Sequence, residues 1–187
     1  MKGQWCYYKS YFSPECCDLI LEKSKNLPFR EATIGEDGVT INNNQRKSDV
    51  AWIYSKDFPE LYEEVWKLER EANKEWFGFH IDNLEYIQLA RYNGTIGAEY
   101  KKHQDVFWIN KSTRHRKLSA VIQLSNPDTY TGGEFKLYDC DEYPNSEDIK
   151  QQGTVIFFPS FIYHEANPVT SGIRHSLALW FEGPKWR

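Results

Sequence analysis

Residues 174–181, Arg174-His175-Ser176-Leu177-Ala178-Leu179-Trp180-Phe181, alternate as an extended strand does. Successive strand side chains leave on opposite faces, so Arg174, Ser176, Ala178 and Trp180 share one face and Leu177, Leu179 and Phe181 the other. The second face is hydrocarbon and needs a core. The first carries a cation and a hydroxyl and needs something polar to meet. Two neighbouring runs are also β-like. Gly153-Thr154-Val155-Ile156-Phe157-Phe158-Pro159 is apolar and ended by a proline, and Leu118-Ser119-Ala120-Val121-Ile122-Gln123-Leu124 is mostly apolar. From Leu84 onward short runs of this kind are separated by turns, with no clear helical-period segment and no internal repeat.

The amino-terminal part reads differently. Ser13-Pro14-Glu15 has an N-cap residue followed by proline at the first helical position, which predicts a helix to about Lys25 with Leu19, Ile20 and Leu21 as its apolar side. A second helix is expected near Asp57-Phe58-Pro59-Glu60, where Asp57 and Glu60 have capping-box spacing. Its stripe of Leu61, Val65, Leu68, Ala72 and Trp76 should pack on a sheet. Between them, Ile34 to Lys47 is polar and rich in Gly and Asn, which predicts a mobile loop. A length of 187 residues with 16% aromatics suits one domain over residues 1–187, helical over about 13–77 and β over about 84–182.

The net charge of −4 gives no general pull toward nucleic acid. The basic run Arg114-His115-Arg116-Lys117 is the exception, and reads as a solvated face or a contact for an acidic partner or substrate. Cys6, Cys16, Cys17 and Cys140 lack zinc-ribbon spacing, and the adjacent pair argues against a secreted disulfide framework, so a reducing compartment is expected. Residues 1–10 lack the apolar stretch of a signal peptide and no window approaches a membrane span, which predicts a soluble, cytoplasmic protein.

The chemistry concentrates in His103-Gln104-Asp105, His164 and Arg174. A His and a carboxylate two apart on a strand converge on one ion, and His164, just past the 153–159 run, supplies a third ligand from another segment. Two imidazoles and one carboxylate leave metal positions open, as iron-dependent oxygen chemistry needs. A guanidinium holds a carboxylate by two parallel hydrogen bonds, so Arg174, with Ser176 beside it, suits an acid-bearing co-substrate. An isolated His-x-Asp is common, but the ordered set on β-like segments is not explained by chance surface residues. A zinc hydrolase accepts the same three ligands but leaves Arg174 without a task. No nucleophile or acid–base pair stands apart from the ligands.

With these residues the chain resembles the prolyl 4-hydroxylase-like branch of the 2-oxoglutarate- and iron(II)-dependent dioxygenases. Tyr92-Asn93-Gly94-Thr95-Ile96-Gly97-Ala98-Glu99-Tyr100, leading into Lys101-Lys102-His103, is similar to the Tyr and Gly-containing turn ahead of that family's first ligand. Thr131-Gly132-Gly133-Glu134-Phe135 looks like its Gly-Gly turn, Trp180 its Trp after the arginine, and Arg46-Lys47-Ser48 before Trp52-Ile53 its Arg-x-Ser segment. The resemblance covers about residues 46–182. Gln123 departs from it, standing where some animal prolyl hydroxylases have a Tyr facing the co-substrate.

The resemblance implies a mainly β (α+β) fold: a double-stranded β-helix (jelly-roll, cupin-like) core with the amino-terminal helices packed on its major sheet. It implies iron(II) held by His103, Asp105 and His164, 2-oxoglutarate held by Arg174 with Tyr92 and Ser176, and substrate contacts from Arg46 and Trp180. The loop at 34–47 would close over a peptide. The implied reaction consumes O2, decarboxylates 2-oxoglutarate to succinate and CO2, and hydroxylates an unactivated C–H bond, foremost C4 of proline in a peptide or protein, with ascorbate as reductant. Alternatives are hydroxylation of another amino acid, free or in a protein, and a metal- or peptide-binding module without turnover.

Overall fold

The computed structural model describes residues 1–35, 39–84 and 86–186. In chain order its strands are β1 (Cys6–Tyr8), β2 (Arg30–Glu31), β3 (Arg46–Lys47), β4 (Asp49–Ile53), β5 (Ile87–Asn93), β6 (Glu99–His103), β7 (Arg114–Gln123), β8 (Tyr130–Gly132), β9 (Phe135–Leu137), β10 (Val155–Pro159), β11 (His164–Ala166) and β12 (Val169–Pro184). The helices are α1 (Pro14–Ser24), α2 (Pro59–Ala72) and α3 (Ser146–Ile149).

The alternation of residues 174–181 becomes the central strand, β12, paired with β5 on one side and β7 on the other. Around it the major sheet runs β1-β10-β7-β12-β5-β4-β2, with β8 also paired to β12. A second sheet, β3-β6-β11-β9, completes the jelly-roll, and all pairings are antiparallel. Leu177, Leu179 and Phe181 join Ile87, Leu89, Leu118 and Ile122 on one face, against Ile20 of α1 and Leu61, Val65, Leu68 and Ala72 of α2. That burial removes both helical stripes from water and is the main term favouring the arrangement. It leaves the opposite face, with Arg174, Ser176, Ala178 and Trp180, turned into the cavity between the sheets.

Several local expectations change. Arg174 does not begin a strand but lies inside the 16-residue β12. Ser13 does cap α1, its hydroxyl accepting the Cys16 N–H at 3.2 Å, but Leu19 is 54% exposed and the buried line is Cys17, Ile20 and Ser24. Three adjacent apolar residues cannot all face one side of a helix, and the 3–4 spacing selects Ile20. In α2 proline takes the first helical position, which makes Phe58 the N-cap, so Asp57 falls one residue too early for a capping box and no side-chain cap forms. Trp76 is 38% exposed because α2 ends at Ala72 and a wider π turn, Asn73–Phe77, breaks the stripe.

The basic run is not a solvated face: it opens β7, with His115 and Lys117 buried. Of the loop expected at 34–47, residues 36–38 lie outside the described residues, Ile34 bridges Thr40, and Arg46–Lys47 form β3. Strands β1 and β4 and the Asn145-capped turn α3 were too short for a periodicity to announce them. Among the described residues no helix is long and apolar enough to cross a membrane.

Candidate metal and co-substrate site

His103 and His164 are direct partners across the β6–β11 ladder, their ring centres 4.2 Å apart. Asp105 completes the set, and one potential ligand atom from each residue lies within 4.8 Å of the others. The expected strand geometry does not hold Asp105, because β6 ends at His103. Instead the Asp105 N–H donates to the Ser160 carbonyl at 2.9 Å, and the Gln104 amide donates to the Phe161 carbonyl. The loop after β10 therefore bends the ligand loop back over the cavity.

Both imidazoles are fixed at the far nitrogen. His103 Nδ1 lies 2.7 Å from the Lys101 carbonyl and His164 Nδ1 3.0 Å from the Ile162 carbonyl. A carbonyl only accepts, so each Nδ1 carries a proton and it is Nε2 of each ring that faces Asp105 and is left to bind a metal. Tyr100 stacks on His103 with centroids 3.5 Å apart, and Phe158 and Phe135 flank His164 at 4.7 and 5.7 Å. Burial, followed by the field of His164, lowers the His103 pKa to about 3, which keeps that ring neutral.

Burial by itself would raise the Asp105 pKa. The imidazoles of His164 and His103, the Arg116 guanidinium and a hydrogen bond from Ser119 outweigh it, and the carboxyl is held below its ordinary range. Ser119 Oγ donates to Asp105 Oδ2 at 2.6 Å and lies 2.9 Å from Ser160 Oγ. Ser119 is on β7, directly opposite Trp180 of β12, so this bond ties the loop that carries Asp105, two residues past β6 of the minor sheet, to the major sheet. Two imidazoles and one carboxylate, with nitrogen and oxygen donors converging, suit a divalent first-row metal such as iron(II).

Arg174 is 1% exposed, yet its Nε and Nη2 have no hydrogen-bond partner among the described residues. An uncompensated guanidinium at that depth is strongly disfavoured unless an anion joins it, so the cavity suits a carboxylate there. Tyr92 is its cross-strand partner, with the guanidinium 5.3 Å from the ring centre, and Ser176 is next along the same face. Gly133 makes room: with φ +70°, it sits where a Cβ would come within 2.9 Å of Arg174 Cδ.

Trp180 and Arg46 line the same cavity. Arg46 is buried, donating to Ser48 Oγ at 2.9 Å and Gln88 Oε1 at 2.7 Å and standing 4.4 Å over the Tyr100 ring, so it buttresses the His103 stack as well as lining the cavity. Gln123 is buried opposite Ser176 with Oε1 unpaired among the described residues, and it lines an adjoining cavity with Tyr130, Gly133, Phe135 and Ile149. All eight residues singled out from sequence thus border one cavity. Tyr100, Ser119, Ser160 and Gln88 were missed; alternation in the 118–124 run, where a serine stands among apolar residues, is the signal that could have found Ser119.

The profile of the 2OG-Fe(II) oxygenase superfamily matches residues 87–182, just over half of the chain. A PKHD-type hydroxylase of Shewanella sp. (strain MR-7) is 38% identical over 113 residues, which are 60% of this chain and 40% of that protein. The match thus spans about two fifths of such curated relatives. Among solved structures, a Pseudomonas putida prolyl-4-hydroxylase superposes with a TM-score of 0.72 at 18% identity, covering 98% of this chain and 94% of that one. A Trichoplax adhaerens prolyl hydroxylase, in complex with a hypoxia inducible factor oxygen degradation domain peptide fragment, gives 0.76 at 19% identity, with coverage of 96% and 83%.

Proposed function

The chain belongs to the 2OG-Fe(II) oxygenase superfamily, and from that premise we propose that it is a dioxygenase hydroxylating a peptide or protein, foremost at proline. The observation that carries the reading is the buried, unpartnered Arg174 guanidinium in the same cavity as the His103–Asp105–His164 cluster. A metal-binding module or a zinc hydrolase needs the cluster but not the cation.

In this reading His103 Nε2, His164 Nε2 and an Asp105 carboxylate oxygen would hold iron(II), and Arg174 would hold the distal carboxylate of 2-oxoglutarate. Iron(II) with 2-oxoglutarate and O2 supplies the oxidant that hydroxylates an unactivated C–H bond, with succinate and CO2 as the other products. The chain's own work is placement. The two carbonyl-anchored Nδ1 protons orient the imidazoles, and Ser119 fixes which way the Asp105 carboxylate faces. Tyr92 and Ser176, which line the same cavity as Arg174, would offer hydroxyls to the co-substrate carboxylate. Trp180 and Arg46 shape the substrate side, and the surrounding Tyr100, Phe135 and Phe158 rings keep water from the reacting centre. Ascorbate serves as reductant. Cys6, Cys16, Cys17 and Cys140 are free thiols, which suits an intracellular setting.

The substrate assignment is tested by incubating the protein with iron(II), ascorbate, 2-oxoglutarate and proline-rich peptides. A peptide gaining the mass of one oxygen at proline supports it. Succinate without a mass gain on any such peptide overturns the proline assignment and leaves the dioxygenase.

A further inference from the structure

In the basic run that opens β7, Arg114 pairs with Asp82, whereas His115 and Lys117 are buried with no carboxylate acting on either among the described residues. A β-bulge places Lys117. Leu118 faces Phe181 across the ladder but Arg116 faces Glu182, so β7 carries one residue more than β12 there and Lys117 is left out of the pairing. Its ammonium rests 3.5 Å from the centre of the Trp186 ring, which Phe79 and Phe161 flank at 5.0 and 6.0 Å. Lys185 is the third cation, its Nζ donating to the Asn110 carbonyl at 3.0 Å. Burial and then the charges of Lys185 and Lys117 lower the His115 pKa, against a smaller pull from the Trp108 backbone.

Donors are left over at this cluster. His115 Nδ1 accepts the Trp186 N–H at 3.3 Å, so in the neutral ring Nε2 carries the hydrogen. Neither that Nε2 nor the indole Nε1 of Trp186 has a partner among the described residues. The Lys117 ammonium has the ring face but no hydrogen-bond acceptor among them. Stacking on an aromatic face offsets only part of the cost of burying an ammonium, and an anion offsets the rest. Asn110 Oδ1 is an unpartnered acceptor in the same group, its amide oriented by the bond from Nδ2 to the Arg114 carbonyl at 3.3 Å. An oxyanion that keeps a hydrogen serves the donors and this acceptor together; a fully ionised one serves only the donors.

We propose that His115, Lys117, Lys185 and the Trp186 indole bind a compact, hydrogen-bearing oxyanion, a phosphate group, at a site of its own. None of the four lines the metal cavity, and the inference stands apart from the dioxygenase reading. The phosphate is either the free ion or the head of a small ester.

The test titrates the metal-free full chain at constant ionic strength with inorganic phosphate, glycerol phosphate and sulfate, following the indole N–H signals by NMR; Trp186→Phe assigns the signal that matters. The expected result is a saturable shift of the Trp186 signal with phosphate, and binding about tenfold weaker for sulfate. Lys117→Met, which keeps the hydrocarbon stem against the ring, should abolish the shift, and Lys185→Gln, at a half-buried position, should weaken binding by about tenfold. Thermal melts report that both variants fold, and Arg174→Gln should leave the shift in place. Glycerol phosphate binding as tightly as phosphate supports the site with an ester as ligand, and binding of phosphate alone supports it with the free ion. No saturable shift, equal binding of sulfate, or a shift that survives Lys117→Met and Lys185→Gln overturns the proposal. So does loss of the shift in Arg174→Gln, which would put the anion in the co-substrate cavity.

Discussion

Ser119 contributes one hydroxyl to the site, and its effect is directional: by donating to Asp105 Oδ2 it leaves Oδ1 as the freer oxygen for a metal. Groups that orient metal ligands in this way are worth roughly 10–100-fold in metal affinity. Ser119→Ala should therefore weaken iron(II) binding by about that factor, measured by anaerobic titration, whereas Ser119→Thr, which keeps the hydroxyl, should restore most of it. Equal affinity in the alanine variant would show that the bond is incidental. Arg174 acts on the other partner. Arg174→Gln should weaken 2-oxoglutarate binding by about 10–100-fold, the worth of a charge-assisted pair, while iron(II) affinity changes little. An equal loss of both would mean that the variant had disturbed the fold rather than an anchor.

The turn between β8 and β9 shows how an element serves a side chain it does not contain. Gly132 and Gly133 both have positive φ, and Gly133 also has no room for a Cβ beside Val169 and Arg174. Gly133→Ala meets two obstacles, a left-handed backbone and a Cβ at 2.8–2.9 Å from those side chains. It should destabilise the protein by about 1–3 kcal/mol and weaken 2-oxoglutarate binding as well. A chemical melt and a binding titration check the two effects separately.

At this scale the sequence was readable where periodicity or chemistry was dense. The alternation of β12, the two long helices, the triad and Arg174 all follow from residue type and spacing. What stayed hidden is contact between segments far apart in sequence. Asp105 is held by a carbonyl 55 residues away rather than by its own strand, as the bond from its N–H to the Ser160 carbonyl shows. Tyr100 is an ordinary strand aromatic until both Arg46 and His103 are seen against its ring. The basic run 114–117 misled because charge by itself does not show that a strand will bury alternate members of it.

On the scale of the whole molecule, the helical layer that lets β12 bury its apolar face also holds a buried acid. Glu69 of α2 is 2% exposed, its Oε1 has no partner among the described residues, and burial raises its pKa to about 7 against the opposing effects of Arg70 and Asn73. A carboxyl whose folded pKa lies above its unfolded value binds more protons folded than unfolded, so its penalty is absent below about pH 4.5 and grows to full size above about pH 7. Glu69→Gln should therefore raise stability at pH 8 by up to about 3 kcal/mol and change it little at pH 4.5. Melting temperatures at the two pH values decide it, and a gain independent of pH would contradict the linkage.

The same architecture brings His103 and Asp105, His164 and Arg174 from three segments into one cavity, and the proposed chemistry requires that they act together. The decisive measurement is succinate formation from 2-oxoglutarate with added iron(II), in air and under argon, for the unmodified chain, His103→Ala and Arg174→Ala. Oxygen-dependent succinate from the unmodified chain, suppressed by each substitution, is the predicted result. Absence of succinate in air, or succinate that persists in either variant, would contradict it.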